Sequence, residues 1–215
     1  MSNSSRPSES CEAISMRQIS LLAEDYGHEA LLGPMVRRIA ADQGVAVQMR
    51  PYSVRGGFGK VAEEFKEYVA AVLRYRECLP DLVIVATDAN CDGFAKRRKG
   101  LQQAAQPIQD RVVFAIPDPH VERWLLLDAA AFKQVLGRPC KTPDKKCARD
   151  RYKDLLAQAV AESGATPLLG GMEYAEEIVS AMDIESVKKW DESLGSFLEE
   201  LHSRFRMWRR EGQLP

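Results

Sequence analysis

The sequence predicts an α/β fold: a mostly parallel four-stranded sheet flanked by helices, with a helical cluster closing the C-terminal half. Three observations carry this. Short apolar runs recur at Ile19–Ala23, Val45–Met49, Leu82–Ala86 and Val112–Ile116. Helical patterns separate them, which is the order of strand–crossover–strand units. After Gly137 the apolar runs stop and only helical periodicity is left.

Leu82-Val-Ile-Val-Ala86 is five apolar residues in a row, as a strand buried on both faces requires. Ile19–Ala23 ends at Glu24, and a helix is expected from about His28 to Asp42, with Gly44 just beyond its end. Pro34 would fall in the first turns of that helix, so its start could be as late as Gly33. Val45–Met49 is bounded by Gly44 and Pro51. A Gly-rich stretch, Gly56–Lys60, then feeds the clearest helix in the chain. Val61, Phe65, Tyr68, Val69, Val72 and Leu73 there form one apolar stripe. A helix over Phe94–Ala105 and another from Val121 to about Val135 complete the predicted core. Further helices are expected over Lys145–Ser163, Tyr174–Met182 and Ser186–Arg210. The division that follows is a Ser-rich tail over 1–17, an α/β core over 18–137 and a helical extension over 138–215 packed on the core.

At 215 residues, 45% hydrophobic and 28% charged, the composition is that of an ordinary globular chain. No apolar run reaches the roughly 18 residues that a membrane helix needs, and Met1–Gln18 has no apolar segment of a signal peptide. The five cysteines, with no CxxC, read as reduced thiols in a cytoplasm, and Cys91 as a buried, inert thiol. The histidines His28, His120 and His202 are too scattered to argue a zinc site. A net charge of −1 excludes a global attraction to nucleic acid, so local basic runs matter more. Lys96-Arg-Arg-Lys99 lies just beyond Asp92, and Lys145 and Lys146 belong to a second run.

The residues that point to chemistry are acids at strand ends. Glu24 follows the first strand, Asp88 the third, and Glu122 the fourth. Parallel strands bring their carboxyl ends to one edge, where open α/β sheets place their sites. Carboxylates gathered there repel unless a cation neutralises them, and oxygen ligands suit Mg²⁺ or Mn²⁺. With basic residues nearby, this is equipment for phosphodiester chemistry. Each acid also has a structural role open to it: Glu24 in a loop, Asp88 as a helix cap, Asp92-Gly93 as a turn. Glu29 lies about one helical turn from Glu24. Asp118 reads as the N-cap of the helix that Pro119 opens. Gly56–Lys60 is not a Walker loop, since Val61 stands where Ser or Thr belongs. It is read as structural, with a flavodoxin-like phosphate binder as the reading it would otherwise support.

Glu24 at a strand end, Asp88 at another, and the Glu122-Arg-Trp-Leu-Leu segment together resemble small Toprim-like proteins, relatives of OLD-type nucleases and of RloB-like anti-phage proteins. The resemblance spans about 18–130 and is loose over Ser193–Phe205. It implies a Toprim-like four-stranded parallel sheet with acids at the strand ends. It further implies a metal-dependent nuclease, an effector of anti-phage defence that works with a separate ATPase partner. By position, Glu24, Asp88 and Glu122 carry catalysis. The same residues hold Mg²⁺ or Mn²⁺ with Asn90 and Asp92, while Lys96, Arg97, Arg98, Lys99, Lys145 and Lys146 contact the nucleic acid. Two departures stand out: Asn90 replaces the second Asp of Asp-x-Asp, and after Glu24 the usual glycine is Asp25 while Glu29 lies one residue later than the family spacing. They favour a second reading, an inactive Toprim-like module that binds a partner protein or nucleic acid.

Overall fold

A computed structural model describes residues 16–54, 57–75 and 79–212. The Ser-rich tail lies outside the described residues apart from its last two positions, as does Gly56 of the Gly-rich stretch. The sheet consists of β1 (Arg17–Ala23), β2 (Val47–Ser53), β3 (Leu82–Ala86) and β4 (Val112–Ala115). All pairings are parallel, in the order β2-β1-β3-β4. Successive side chains on a strand point to opposite faces, so each central strand feeds two cores. On β3, Leu82, Ile84 and Ala86 enter one core, while Val83 and Val85 enter the other.

The second core is closed by α2 (Gly57–Arg74) and α3 (Phe94–Ala105). The first and larger core is closed by α1 (Tyr26–Asp42) and by helices of the C-terminal half: α4 (Val121–Leu125), α5 (Ala129–Leu136), α6 (Arg151–Glu162), α7 (Ala175–Ala181), α8 (Ile184–Val187) and α9 (Glu192–Glu211). The apolar stripe of α9, from Leu194 through Phe197, Leu198, Leu201 and Phe205 to Trp208, is wholly buried. The C-terminal helices therefore complete one face of the sheet.

Five expected boundaries shift. β2 runs through Pro51 instead of stopping before it, with Pro51 opposite Leu21. It lies at the edge of the sheet, where a proline costs no ladder hydrogen bond on its outer side. α1 begins at Tyr26, because the Asp25 carboxylate accepts a hydrogen bond from the His28 amide and caps it there; Pro34 lies inside the helix. The expected helix from Val121 to Val135 is two helices. Asp128 interrupts it, accepting from the amides of Ala130 and Ala131 as the cap of α5 and from the amide of Asp183 with its other oxygen. Asp191 likewise breaks the expected Ser186–Arg210 helix and caps α9 through the amide of Leu194. Residues 145–150 are not helical, so α6 starts only at Arg151.

The cysteine reading is also corrected. Cys91 is exposed and forms a disulfide with Cys147, 56 positions away in sequence. The bond ties the 3₁₀ turn Asn90–Asp92 to the irregular stretch before α6. Spacing along the chain carries no sign of such a pairing, because the fold alone brings the two segments together. Cys140 is buried and unpaired, and burial pushes its thiol up to about 11.

Candidate functional site

The parallel order puts the ends of β1 and β3 side by side, and Glu24 and Asp88 follow directly. The Glu24 amide donates to Ala86 O, which fixes the loop after β1 against β3. The Glu24 carboxylate turns back across the gap. It accepts from the Thr87 hydroxyl and, at 3.0 Å, from the amide of Asp88. Its other oxygen lies 3.7 Å from where a Cβ on Gly57 would sit, so the start of α2 meets the same edge.

Asp88 is the centre of a buried polar chain. Its Oδ1 accepts from the Val121 amide at 2.9 Å and makes a charge contact with His28 Nε2 at 3.1 Å. Its Oδ2 bonds His120 Nδ1 at 3.0 Å. His28, fully buried, reaches with its other nitrogen to Asp25 Oδ1 at 2.8 Å. Asp25, His28, Asp88 and His120 therefore alternate acid and imidazole from the end of β1 to the start of α4.

Each link sets the charge of the next. Burial alone pushes the His28 imidazole down. The carboxylates of Asp88 and Asp25 overcome that and hold it at about 10. Burial works against ionisation of Asp25, yet the hydrogen bond and charge of His28 bring its carboxyl to about 2. Asp88 is lowered in the same way, burial opposing and the His28 charge followed by the His120 hydrogen bond prevailing. His120 is raised by its hydrogen bond to Asp88, against burial. Glu122 stands outside the chain. It is buried, burial and then the charge of Asp88 raise it, and its Oε2 has no partner.

The chain opens into a cavity of about 280 Å³. Its lining comprises Glu24, Asp25, Asp88 and Asn90 from the strand ends, His120, Arg149, Asp150, Tyr152 and Lys153, and the bonded Cys91 and Cys147. A larger cavity of about 500 Å³ lies between the β1–β2 surface and α2, lined by Tyr52, Tyr68, Tyr75 and Arg50. It has no acid or histidine among its lining residues, whereas the smaller one has both.

The predicted residues divide accordingly. Glu24, Asp88 and Asn90 come together at the cavity. Asn90 adopts φ of 51°, and its side-chain amide reaches toward Asp88 O at 3.4 Å. Asp92 does not join them: it is exposed, bonded to Lys96 at 2.6 Å and to Arg97 at 2.9 Å. Of the basic run, Arg97 also donates to Ala89 O, and Arg98 is pinned to Ser196 and Glu200 of α9, while Lys96 and Lys99 are exposed. Asp118 is not the expected cap. His120 holds that place, and Asp118 pairs with Lys145 at 2.8 Å. Lys146 is exposed and pairs with Asp144 at 3.1 Å. Glu29 accepts from Ser53 on the outside of the edge strand.

A divalent ion needs several carboxylate oxygens free to turn toward it. Both oxygens of Asp88 are engaged by imidazoles and an amide, and one of Glu24 by a hydroxyl and an amide. Among the described residues, no group of three His, Cys, Asp or Glu side chains is placed to hold a metal. The donor set in this arrangement does not fit Mg²⁺ or Mn²⁺. The positive charge beside Asp88 is supplied by histidine instead.

Reading the chain alone misses His28, His120, Asp25, Tyr152 and Lys153. One local signal is present: Asp25 precedes His28 by three positions, the spacing of a helix cap and the amide it caps. No helix among the described residues is long and apolar enough to cross a membrane. Compared with protein families, curated proteins and solved structures, the chain finds no match in any of the three.

Proposed function

We propose that this chain cleaves phosphodiester bonds in nucleic acid, as a Toprim-like effector of anti-phage defence with a separate ATPase partner. The observation that supports it most is the meeting of Glu24 and Asp88 at adjacent strand ends, in a cavity whose lining also carries Lys153 and Arg149. Cations there suit a phosphate, and Asp88 and His120 suit proton transfer beside it. Defence and the ATPase partner rest on the resemblance of the Glu24, Asp88 and Glu122 segments alone. The mouth of the cavity and the exposed Lys96 and Lys99 are the surfaces offered to a strand. No step is routed through a metal, since the donors are engaged as described.

The test is incubation of the protein with plasmid, single-stranded DNA and RNA, with and without Mn²⁺, beside Asp88→Asn. Cleavage that disappears in the variant is the expected result. Cleavage unchanged in Asp88→Asn, or none in either protein, overturns the reading. Asn90 and the engaged oxygens of Asp88 favour a second reading, an inactive module that binds nucleic acid or a partner protein. That reading predicts nucleic-acid binding without cleavage.

A further inference from the structure

We infer that the Cys91–Cys147 bond is a target for thiol–disulfide exchange, and that its reduction by a dithiol unlatches residues 147–150 and widens the cavity that His120 lines. The inference does not depend on the phosphodiesterase reading, because none of its readouts is cleavage of nucleic acid.

Both cysteines are exposed and both line the cavity, so a dithiol in solution reaches a bond that is part of the site's own wall. Cys140, the other described cysteine, is buried with its sulfur against Leu126 O at 3.6 Å, out of such reach.

The bond joins a segment with anchors of its own to one that has no other. On the Cys91 side, the amide of Ala89 donates to Pro117 O at 2.8 Å and that of Asn90 to Pro119 O at 3.0 Å. Asp92 pairs with Lys96 and Arg97. That turn stays in place whatever the state of the sulfurs. On the Cys147 side the polar contacts are local. Arg151 N donates to Ala148 O at 3.3 Å, Arg149 pairs with Asp150 at 3.3 Å, and Asp154 N donates to Asp150 O at 2.9 Å. Among the described residues, the Cys147 sulfur is the one covalent or polar tie from 147–150 to the sheet edge. The flanks are held separately. Lys146 N donates to the Tyr152 hydroxyl at 2.8 Å, Lys145 pairs with Asp118 at 2.8 Å, and Tyr152 is buried. Release is therefore confined to a short loop with fixed ends.

Backbone conformation gives that loop a reason to move. Among the described residues, only Asn90 and Asp150 combine a side chain with a positive φ, of 51° and 57°. They lie in the two segments that the bond joins, and both line the cavity. A residue with a Cβ keeps this conformation only where its surroundings over-determine it. Asn90 retains its bond to Pro119 O after reduction, whereas Asp150 loses the tie that fixes its loop. In the bonded state the cavity measures about 280 Å³, at the lower end of what ligand pockets usually offer. Cys147, Arg149 and Asp150 all belong to the loop, so its release enlarges the cavity beside Asp88 and His120.

The exchange balances with the dithiol alone. One thiolate of the dithiol attacks a sulfur of the bond, and the other protein sulfur leaves with the electron pair. The second dithiol sulfur then attacks the mixed disulfide, closes a ring and releases the first protein sulfur. The protein gains two electrons and two protons, and the dithiol ends as a cyclic disulfide. One molecule of oxidised glutathione reverses the change and leaves as two thiols.

The experiment compares the full chain, purified without reductant, with the same protein after dithiothreitol, at a temperature below both thermal midpoints. Iodoacetamide labelling read by mass spectrometry should find Cys91 and Cys147 protected before reduction and free after it, with Cys140 unlabelled in both. In the reduced protein, tryptic cleavage after Lys146 and Arg149 should rise by about tenfold as the loop opens locally. Carbethoxylation of His120 by diethyl pyrocarbonate should rise with it, while tryptic cleavage after Arg206 in α9 stays as it was. Oxidised glutathione should reverse both increases. Cys91→Ser with Cys147→Ser should behave as the reduced protein does and ignore the dithiol. Labelling of both cysteines before reduction, resistance of the bond to dithiothreitol in the folded protein, or unchanged cleavage and carbethoxylation once both thiols are free overturns the inference. So does a rise at Arg206 equal to that at Arg149, which would make the bond a staple of the whole fold.

Discussion

The short helix α4 sends two consecutive charged side chains into the interior, Glu122 toward the Asp88 cluster and Arg123 toward Asp191. Arg123 ends in a knit network. Its guanidinium pairs with Asp191, whose other oxygen accepts from the Ser193 hydroxyl at 2.5 Å and the Leu194 amide at 2.8 Å. Ser193 in turn accepts from the Trp124 indole at 3.1 Å and the Asp118 amide at 3.2 Å. Only Arg123 Nε is left without a partner there. Glu122, one residue earlier, keeps a buried oxygen with no partner beside a second carboxylate. Both clusters are buried and charged, so burial and charge do not tell a site from a strut. What separates them is the cavity that Asp88 and His120 line and that Arg123 and Asp191 do not.

The comparison breaks most visibly on the Arg123 side. Removing one partner of a buried pair strands the other charge, which costs about 3–5 kcal/mol. Arg123→Met and Asp191→Leu should each cost that much in urea unfolding, and the double variant should recover a large part of it. A double variant no better than the singles would show that the network does more than cap α9 and seat Trp124.

Next in size is the Cys91–Cys147 bond. In the chain-entropy account, closing a loop of 56 residues restricts the unfolded chain by about 4 kcal/mol. Cys91→Ser with Cys147→Ser, or a dithiol reductant, should therefore lower the thermal midpoint. The loss should centre on the stretch before α6, which carries Arg149 and leads to Lys153. An unchanged midpoint would mean that the bond joins segments already fixed by Lys145–Asp118 and by Tyr152.

Glu122 should respond in the opposite direction. Its folded-state proton affinity is raised, so the folded chain holds a proton that the unfolded chain releases. Stability contributed by that proton is present at low pH and declines as pH rises above about 4.5, the value the unfolded glutamate keeps. Glu122→Gln removes the decline. Above that pH it should stabilise the fold by on the order of 1 kcal/mol, the cost of one buried unpaired polar atom. The difference between the two proteins in chemical unfolding at pH 4 and pH 7 checks the sign. His28 has its own window. Its contribution is full below pH 6.5 and is lost as pH rises toward about 10.

What the sequence made legible follows from how local each signal is. β3 and α3 were readable to the residue, since a run of apolar residues and a helical pattern are written within one segment. The convergence of Glu24 and Asp88 was readable from topology, because parallel neighbours must end at the same edge. His28, His120 and the Cys91–Cys147 bond were not. Their partners lie 60, 32 and 56 residues away, and only packing of α1, α4 and the stretch before α6 brings them in. The breaks at Asp128 and Asp191 were hidden for a related reason. Each carboxylate caps a helix and also bonds a distant segment, and the second tie selects the break over a continuous helix.

The smallest expected effect sharpens the division between Asp88, which follows β3, and Asp92, in the turn before α3. Asp92 is exposed, and the hydrogen bond from Lys96 and then the charge of Arg97 hold its carboxyl below the usual carboxylate range. Exposed pairs of this kind contribute little, because water screens them and ordering two long side chains opposes them. Asp92→Asn should leave the thermal midpoint within the scatter of repeated melts and, on the proposed function, leave nucleic-acid cleavage at the unsubstituted rate, whereas Asp88→Asn should abolish it. Four residues separate the two acids, and one faces the cavity while the other holds the start of α3. A loss of cleavage in Asp92→Asn as deep as that in Asp88→Asn would put both acids in one site. It would require the turn Asn90–Asp92 to rearrange when substrate binds.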